Sequence, residues 1–432
     1  MNAAEPDNTQ HIEFGNEHLT VALSYAQDAP VTLTRLICDG CRLELDALEL
    51  PSGVPLVELQ TPEAGHQTPV QSMAHTDWGQ RLRYRNHELS SEGGWQRLTV
   101  DLNGDDGIDV RLELRMPADV AAFTSQITVT NRAAADLVLT SVPSLSMPVS
   151  GTLDGTVIDA DGLDVWQGAN DWLGENRWSS GPLRNSVVDL FSAGHGVEAK
   201  AGLAARSLGT WSTAAEVPSG VIGPRDGGFA LAWQIEHNGA WCWEVGESLG
   251  SVRLTLSGPT DRHHQWVEVL ASGESFRTVP VTVSVGRSWE DAVGWLTRYR
   301  RAARRPHPDN TRLTLIYNDY MNTLMGDPTT ERLLPLIDAA ADVGAEAFCI
   351  DAGWYDDGLN WWDSVGAWQP SPSRFPGGLA EVLERIRGRG MVAGLWLEPE
   401  VVGVRSEMAE ALPPEAFFSR YGLRVREAGR YH

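Results

Sequence analysis

The sequence predicts a multidomain protein in which a large antiparallel β-sandwich is followed by an incomplete (β/α)8 TIM barrel. Three observations carry this prediction. The chain has 432 residues, which is too long for one ordinary domain. Up to about residue 290, short alternating segments are separated by turn residues. From residue 311, continuous apolar runs alternate with amphipathic helical segments, which is typical of a parallel sheet covered by helices.

Residues 1–287 are predicted to form the antiparallel β-sandwich. Alternation of apolar and polar residues is clear in "RLTVDLNGDDGIDVRLELRM" and in "FALAWQIEHNGAWCWEVG". In the second segment, Asn238 and Gly239 predict a two-residue hairpin turn, because both residues tolerate positive φ angles. Many strands at this spacing indicate a large sandwich.

The four cysteines do not predict a disulfide framework, since such frameworks belong to much shorter secreted chains. They are Cys38, Cys41, Cys242 and Cys349. The segment "CDGC" lacks a second cysteine pair and suitably spaced histidines, which a zinc site would require. We therefore interpret it as a hairpin turn at Asp39 and Gly40, and we expect no metal site.

Residues 288–310 are predicted to contain a linker helix. Ser288 is a suitable N-cap, and the segment ends with basic residues that suit the helix dipole. Apolar residues recur near helical spacing at Trp289, Val293, Leu296 and Tyr299. The segment "PHPDN" then ends the helix.

Residues 311–432 are predicted to supply the first βα units of the barrel. The segments "LTLIYN", "EAFCIDA" and "MVAGLWLE" are interpreted as buried strands. Two helices lie between them. Asp327 is predicted to cap the first, with Pro328 at its first position, and Gly390 is predicted to close the second, "GGLAEVLERIRGRG".

Polar and aromatic residues follow each of these strands. They are Asn318 and Asp319 after the first, Asp351 and Trp354 after the second, and Trp396, Glu398 and Glu400 after the third. The carboxyl ends of barrel strands meet at one rim, which carries the active site in this fold. Carboxylates can accept hydrogen bonds from sugar hydroxyl groups, and indoles can pack on the sugar ring. The residues at this rim therefore predict a sugar site.

The charge of the chain restricts its partners. The formal net charge is −24 and is spread along the sequence, so nucleic acid and anionic membranes are repelled and a neutral ligand is favoured. The first residues, "MNAAEPDNTQHIEFG", have neither the basic nor the apolar region of a signal peptide, and no window reaches the roughly 18 to 20 apolar residues of a membrane span. We therefore expect a cytoplasmic protein.

Two segments of the predicted barrel resemble a known family. "CIDAGWYDD" and "SVGAWQPSPSRFPGGLAEVLERIRGRGMVAGLWLEPEVV" are similar to the second and third βα units of glycoside hydrolase family 36, the bacterial α-galactosidases and their relatives. The order and spacing of "GW", of "G-x-W" before "FPGGL" and of "GLW-x-EPE" carry the resemblance. The preceding β-sandwich and linker helix also match the family's architecture.

The resemblance implies retaining hydrolysis of α-galactosides such as raffinose or melibiose, without a metal or organic cofactor. One aspartate acts as the nucleophile and another as the acid and base, with carboxyl groups about 5 to 5.5 Å apart. The family places these aspartates after the fourth and sixth strands, so we expect both beyond His432 and expect the 432-residue chain alone to be inactive. The resemblance further implies a homo-oligomer, in which a neighbouring subunit's sandwich loop completes the site.

Three alternatives remain open for the function. A transglycosylase of the same family would transfer the sugar to another sugar rather than to water. An α-N-acetylgalactosaminidase would act on a different glycone. A non-catalytic carbohydrate-binding protein would keep the rim and lack the catalytic carboxylates.

The family's motifs assign candidate site residues one by one. The predicted substrate ligands are Asp351, Trp354, Trp396 and Arg430, with Asp319 and Asp356 added from their positions at the rim. The predicted supporting residues are Glu398, Glu400 and Trp368. Purely structural roles are the alternatives to these assignments. Asp351 could cap the segment that follows its strand, Trp396 could fill the core, and both glutamates could be members of ion pairs.

Two departures from the family pattern bear on the sugar preference. Ala352 stands where the family motif "DDGW" has its second aspartate, which removes one contact to a hydroxyl group. Asp356 or Asp357 is a candidate substitute from the following loop. The tryptophan of the first strand is also absent, and "NDYMN" stands in its place. Trp361 and Trp362 are candidates for a wall that faces the sugar.

A partial barrel predicts a stability problem. Its outer strands would lack partners, and part of its apolar interior would be open. We therefore expect the isolated chain to be poorly stable or prone to aggregation.

Overall fold

The computed structural model describes residues 9–45, 54–66, 72–104, 106–188, 202–209, 211–248, 251–358 and 360–432. Contacts within the chain divide it into two compact units, Met1–Arg304 and Arg305–His432. The chain is mostly β-structure with few helices. Among the described residues, no helix is both long enough and apolar enough to cross a membrane.

The first unit is built from antiparallel strands. They are β1 (Gln10–Gly15), β2 (Leu19–Tyr25), β3 (Thr32–Cys38), β4 (Cys41–Glu44), β5 (Arg83–Glu92), β6 (Trp95–Gly104), β7 (Ile108–Pro117), β8 (Ala122–Asn131), β9 (Leu137–Leu139), β10 (Pro143–Pro148), β11 (Gly151–Leu153), β12 (Thr156–Ile158), β13 (Leu163–Asn170), β14 (Arg177–Pro182), β15 (Leu203–Arg206), β16 (Ala215–Pro224), β17 (Ala230–Ile235), β18 (Cys242–Ser248), β19 (Ser251–Ser257), β20 (Glu268–Leu270), β21 (Ser275–Arg277) and β22 (Val281–Gly286). The helices are Asp77–Arg81, the 3₁₀ turn Leu183–Asn185, Asp261–His264 and Trp289–Ala303.

These strands form three main sheets around one apolar core. The strand orders are β1-β2-β3-β4-β11-β12, β10-β19-β18-β15 and β14-β13-β16-β17-β22-β8-β7-β6-β5, with β21 beside β8. A short pair, β20-β9, completes the set. Buried residues from all three main sheets, including Leu23, Leu254 and Val283, belong to a single cluster. Burial of this apolar surface is the dominant favourable contribution to folding of the unit.

Two predicted turns have different outcomes. Asp39 and Gly40 have φ angles of 45° and 82° and connect β3 to β4, which confirms the hairpin at "CDGC". The predicted hairpin at Asn238 and Gly239 is wrong, because β17 pairs with β16 and β22 whereas β18 lies in another sheet.

The physical reason for the wrong hairpin is the burial of two indoles. Trp233 on β17 and Trp243 on β18 are fully buried, and their ring centroids lie 5.2 Å apart in an edge-to-face arrangement. Because β17 and β18 lie in different sheets, the two indoles pack against each other in the core between these sheets. Burial of two tryptophans outweighs the local turn preference of Asn-Gly.

The predicted linker helix is present as Trp289–Ala303, and Ser288 caps it by accepting a hydrogen bond from the backbone N–H of Asp291. Its buried residues are Ala292, Trp295, Leu296 and Tyr299. Trp289 is exposed and Val293 only partly buried, so the predicted apolar face was partly wrong. The actual face follows from packing against β22, where Ser284 Oγ donates a 2.8 Å hydrogen bond to the carbonyl oxygen of Ala292.

The second unit contains a parallel sheet and several short pairs of strands. Its strands are β23 (Ile316–Asn318), β24 (Ala347–Ile350), β25 (Val392–Leu395), β26 (Val402–Gly403), β27 (Ser419–Arg420), β28 (Leu423–Arg424), β29 (Arg426–Glu427) and β30 (Arg430–Tyr431). Its helices and helical turns are Asp309–Arg312, Tyr320–Leu324, Thr330–Asp342, Trp361–Asp363, Leu379–Gly388, Met408–Ala411 and Pro414–Ala416. The order β23-β24-β25, parallel throughout, confirms the predicted strand and helix alternation.

Two details of the second unit differ from the prediction. The first long helix begins at Thr330 with Thr329 as its N-cap, whereas Asp327 forms ion pairs with Arg332 and Arg374. The segments "LTLIYN" and "MVAGLWLE" are not fully buried strands. Ile316 is 61% exposed and Val392 is 69% exposed, because β23 and β25 are the edge strands of the described sheet.

Candidate functional site

Three parallel strands of the second unit end at one edge of the sheet. The register pairs Asn318 with Cys349 across β23 and β24, and Ile350 with Leu395 across β24 and β25. The residues that follow these ends are therefore neighbours in space. This register places Asp319, Asp351 and Trp396 at the same edge, as the sequence predicted.

Asp351 is held by both neighbouring strand ends. Its backbone N–H donates a 2.7 Å hydrogen bond to Oδ1 of Asp319. Its Oδ2 accepts a 2.6 Å hydrogen bond from Nδ2 of Asn318, and its Oδ1 accepts one from the backbone N–H of Ala352. The carboxylate is half-buried and fixed in orientation, and each oxygen retains a lone pair that can accept a hydrogen bond from a ligand.

Asp319 is the most buried carboxylate at this edge, with a relative exposure of 2%. Burial raises its pKa to about 6, the hydrogen bond from the backbone N–H of Asp351 lowers it, and the charge of Asp351 raises it. Its Oδ2 has no hydrogen-bond partner among the described residues. Asp319 therefore positions the backbone of Asp351, and its predicted contact with substrate stays a prediction.

Indoles form a cluster beside these carboxylates. Trp354 is buried, and its Nε1 donates a 3.1 Å hydrogen bond to the carbonyl oxygen of Trp396. The Trp396 ring is half-buried and lies 5.6 Å from Trp361 and 6.1 Å from Trp368, measured between centroids. Trp354 thus supports Trp396 from the core side, while its predicted direct contact with substrate stays a prediction.

Arg430 is buried and forms an ion pair with Glu398. Its Nη1 and Nη2 lie 3.0 Å from Oε1 and 2.7 Å from Oε2 of Glu398. The guanidinium also lies 3.5 Å from the ring centroid of Trp362, whose carbonyl oxygen accepts a 2.8 Å hydrogen bond from Nε of Arg430. Glu398 is therefore a member of an ion pair, and its predicted supporting role stays a prediction. The role of Arg430 as a direct ligand and the supporting role of Glu400, which is exposed, stay predictions as well.

The loop after β24 contains both candidate substitutes for the missing aspartate at Ala352. Asp356 is buried, and its Oδ1 accepts a 2.7 Å hydrogen bond from Oγ of Ser364. Asp357 accepts hydrogen bonds from the hydroxyl groups of Ser371 and Ser373, which lower its pKa. Oδ1 of each carboxylate is therefore engaged by the loop, whereas Oδ2 of Asp356 has no hydrogen-bond partner among the described residues. Contact of either carboxylate with substrate stays a prediction.

Sequence reasoning missed a buried arginine that holds this loop. Arg374 donates hydrogen bonds to the carbonyl oxygens of Asp356 and Gly358 and to the carboxylate of Asp327. Its side chain is almost fully buried. An arginine directly before the apolar "FPGGL" was the available signal, because a charged residue in such a position requires partners.

The hydroxyl group of Tyr355 is a second feature that sequence reasoning missed. It is buried and has no hydrogen-bond partner in the described part of the chain, and burial raises its pKa. The ring lies 5.0 Å from Trp368, measured between centroids.

Within the described ranges, no group of three or more histidine, cysteine, aspartate or glutamate side chains is arranged to hold a metal ion.

Comparisons with known proteins agree on one family. Residues 296–429 match the family model described as Melibiase. The chain is 24% identical to Alpha-galactosidase 1 of Pediococcus pentosaceus over 188 residues, which is 43% of this chain and 25% of that protein. It is 29% identical to Alpha-galactosidase AgaA of Geobacillus stearothermophilus over 171 residues, which is 39% of this chain and 23% of that protein.

Solved structures extend the similarity over nearly the whole chain. The crystal structure of an AgaA variant from Geobacillus stearothermophilus in complex with raffinose matches with a TM-score of 0.77 and 17% identity, covering 98% of this chain and 61% of that one. The structure of AgaB from the same organism matches with a TM-score of 0.75 and 17% identity. The chain therefore spans about 61% of the length of these solved structures.

Proposed function

We propose that this chain is the sugar-binding part of an α-galactosidase. The proposal takes as its premise membership in glycoside hydrolase family 36, the family to which the matches point. The proposed substrate is a neutral α-galactoside oligosaccharide such as raffinose or melibiose. The two relatives compared above are α-galactosidases, which supports the reaction class. The net charge of −24 favours an uncharged ligand.

The proposed architecture assigns each unit a part of this enzyme. Residues 1–287 would form the β-sandwich, residues 288–310 the linker helix, and residues 311–432 the first βα units of a (β/α)8 barrel. The parallel register of β23, β24 and β25 supports a barrel, since parallel strands linked by helices build this fold. The TM-score of 0.77 to a family 36 structure supports the arrangement of elements in general.

The observation that carries the proposal is the fixed carboxylate of Asp351 at the strand ends. Asn318 and Asp319 orient it, and Trp396 follows the adjacent strand end. A carboxylate that accepts hydrogen bonds from hydroxyl groups, next to an indole that packs on the ring, suits recognition of a pyranose. Trp354 and the Arg430–Glu398 pair would keep this arrangement rigid.

In this proposal, the residues of the chain bind and orient the sugar. The retaining reaction itself needs a nucleophile and an acid/base carboxyl group about 5 to 5.5 Å apart, which the family places after the fourth and sixth barrel strands. The same proposal includes assembly into a homo-oligomer and a location in the cytoplasm. The resemblance to the family supports the oligomer.

One observation favours a second glycone. Ala352 carries no carboxylate, and Asp357, the exposed candidate substitute, is engaged by Ser371 and Ser373. A pocket without that contact would discriminate less against a sugar that lacks or replaces the corresponding hydroxyl group. An α-N-acetylgalactosaminide is therefore the alternative substrate class.

Calorimetric binding of raffinose to the chain and to Asp351→Asn tests the proposal. Loss of the charged acceptor is expected to weaken binding at this site by about tenfold, since a hydrogen bond to a charged group contributes about 1.5 kcal/mol or more. Asp309→Asn, an exposed carboxylate in the same unit, is the control and should bind like the unchanged chain. Equal affinity of Asp351→Asn and the unchanged chain would contradict the proposal. Tighter binding of an α-N-acetylgalactosaminide would select the alternative glycone.

A further inference from the structure

The first unit contains a cavity of about 320 Å³ between strands β13, β14, β16 and β17 and the helix Trp289–Ala303. Four of the residues that line it are tryptophans: Trp233, which is fully buried, and three with accessible surface, namely Trp166, Trp178 and Trp289. Trp178 and Trp289 are each 43% exposed, which is high for a large aromatic side chain. The cavity lies within the range of about 300 to 1,000 Å³ that is typical of small-ligand sites.

The sheet is shaped to keep this space open. Trp166 on β13, Val221 on β16 and Ala232 on β17 are directly opposite one another, so their side chains share one face of the sheet. The small side chain of Ala232 and the indole of Trp166 both line the cavity, together with residues of the helix. The rings of Trp166 and Trp289 are stacked, with centroids 6.3 Å apart and an interplanar angle of 25°.

A glycine allows the third indole to lie against the sheet. Gly168 is directly opposite Trp178 in the register of β13 and β14. A Cβ atom at position 168 would lie 3.3 Å from Cε2 of Trp178 and 2.5 Å from Cγ2 of Val217. Any side chain there would displace Trp178 or Val217. The absence of a side chain at this position therefore sets the wall of the cavity.

Polar groups stand among these apolar walls. Nε1 of Trp178 donates a 2.7 Å hydrogen bond to Oδ1 of Asn176, which fixes the indole and leaves the amide NH2 of Asn176 free of that contact. Asn176, Ser219 and Arg300 all line the cavity. Arg300 is anchored through Nε to the side-chain oxygen of Gln234.

We propose that this cavity binds one neutral pyranose unit of an oligosaccharide, as a second carbohydrate site separate from the strand ends of the second unit. A pyranose has apolar C–H faces, which pack on indoles, and hydroxyl groups, which accept and donate hydrogen bonds at its edge. The three indoles and the donors of Asn176, Ser219 and Arg300 match both features. A purely apolar ligand would leave those donors unpaired. The net charge of −24 opposes an anionic ligand.

The test uses the full chain carrying Asp351→Asn. This substitution weakens the site proposed in the second unit, so that changes in the remaining binding report on the cavity. Raffinose binding is measured by calorimetry with and without the added substitutions Trp178→Ala and Trp289→Ala. The site predicts residual saturable binding that falls about tenfold with each indole removed. Trp211→Ala is the matched control, because Trp211 is 73% exposed in the same unit and does not line the cavity.

A second variant guards against loss of fold. Val293→Phe fills the cavity from the helix while keeping all three indoles, and far-ultraviolet circular dichroism shows whether the unit remains folded. A fall of the residual binding in a folded Val293→Phe supports the proposal. The absence of residual binding in Asp351→Asn, or residual binding that all cavity substitutions leave unchanged, overturns it. Binding of an apolar naphthalene dye that Trp178→Ala abolishes, without binding of sugar, also overturns it.

Discussion

The backbone N–H of Asp351 donates a 2.7 Å hydrogen bond to Oδ1 of Asp319, so the carboxylate at one strand end fixes the backbone at the next. The side chain of Asp351 in turn accepts a hydrogen bond from Asn318. A buried acid thus sets the geometry of a more accessible one. Ionisation of Asp319 places a charge in a buried position, which is unfavourable. The free energy of unfolding should therefore depend on the pH.

Asp319 gives the first prediction, a dependence of stability on pH between about 4 and 6. Its pKa in the folded chain is about 6, above the ordinary value of 3.8, so the folded state binds more protons than the unfolded state in this window. The free energy of unfolding should therefore fall as the pH rises through it, by about 3 kcal/mol for a shift of this size. Asp319→Asn should remove that slope.

Urea unfolding of the chain at pH 4 and at pH 7 measures this slope. Asp309→Asn, an exposed carboxylate in the same unit, serves as the control and should keep the slope of the unchanged chain. If Asp319→Asn and the unchanged chain lose the same free energy between the two pH values, Asp319 is not the group responsible.

The Arg430–Glu398 pair gives the second prediction. The Arg430 side chain is 5% exposed, so Arg430→Met should leave Glu398 without its cation in a poorly hydrated place and lower the free energy of unfolding by about 3 kcal/mol. Arg430→Lys should recover only part of this loss, because a lysine cannot make the two-point contact or stack on Trp362.

Urea unfolding tests this pair against an exposed one. Arg385 pairs with Asp338 on the surface of the same unit, and Arg385→Met should lower the free energy of unfolding much less than Arg430→Met does, because water screens an exposed pair. A loss for Arg430→Met no greater than for Arg385→Met would show that the buried pair does not hold the edge.

Arg374 gives the third prediction, which concerns the loop of Asp356 and Gly358. Arg374→Met removes donors to two loop carbonyl groups and to Asp327, and these acceptors lose partners in a buried place. The loop should open and be cut faster by limited proteolysis. Arg332→Met is the control, because Arg332 also pairs with Asp327 but is largely exposed. Equal cleavage of the two variants would contradict the role of Arg374.

Local sequence patterns predicted much of the second unit, because its features arise from short segments. The parallel strand ends, and with them the grouping of Asp319, Asp351 and Trp396, follow from apolar runs and their exits. The Asp39-Gly40 turn is equally local.

The failures involve partners that are distant in the chain. Asn238 and Gly239 do not form a hairpin because burial of indoles between sheets decides the path of the chain. The pairing of Arg430 with Glu398, and the hold of Arg374 on its loop, join segments whose proximity no local pattern encodes.

The four cysteines give the fourth prediction, an order of thiol reactivity. Cys38 and Cys242 are buried, and burial raises the pKa of both thiols, that of Cys38 to about 12. Cys41 and Cys349 are only partly buried. Since the thiolate is the reactive form, a disulfide reagent at pH 8 should modify Cys41 and Cys349 first and the other two only after denaturation. Mass spectrometry of labelled peptides assigns the sites. Early labelling of Cys38 or Cys242 would contradict the burial described.

The edges of the parallel sheet give the last prediction, which concerns self-association. β23 and β25 are the outer strands of this sheet, and each exposes an aliphatic side chain, Ile316 at 61% and Val392 at 69%. Apolar edge strands with unpaired backbone groups invite pairing with another chain, and a charge at the edge opposes it. Val392→Lys should therefore lower the association of the isolated chain in concentration-dependent light scattering. Val343→Lys is the matched control, because Val343 is equally exposed but follows a helix. If both variants reduce scattering alike, added charge rather than the strand edge explains the effect. If the unchanged chain stays monomeric, the expected tendency to aggregate is contradicted.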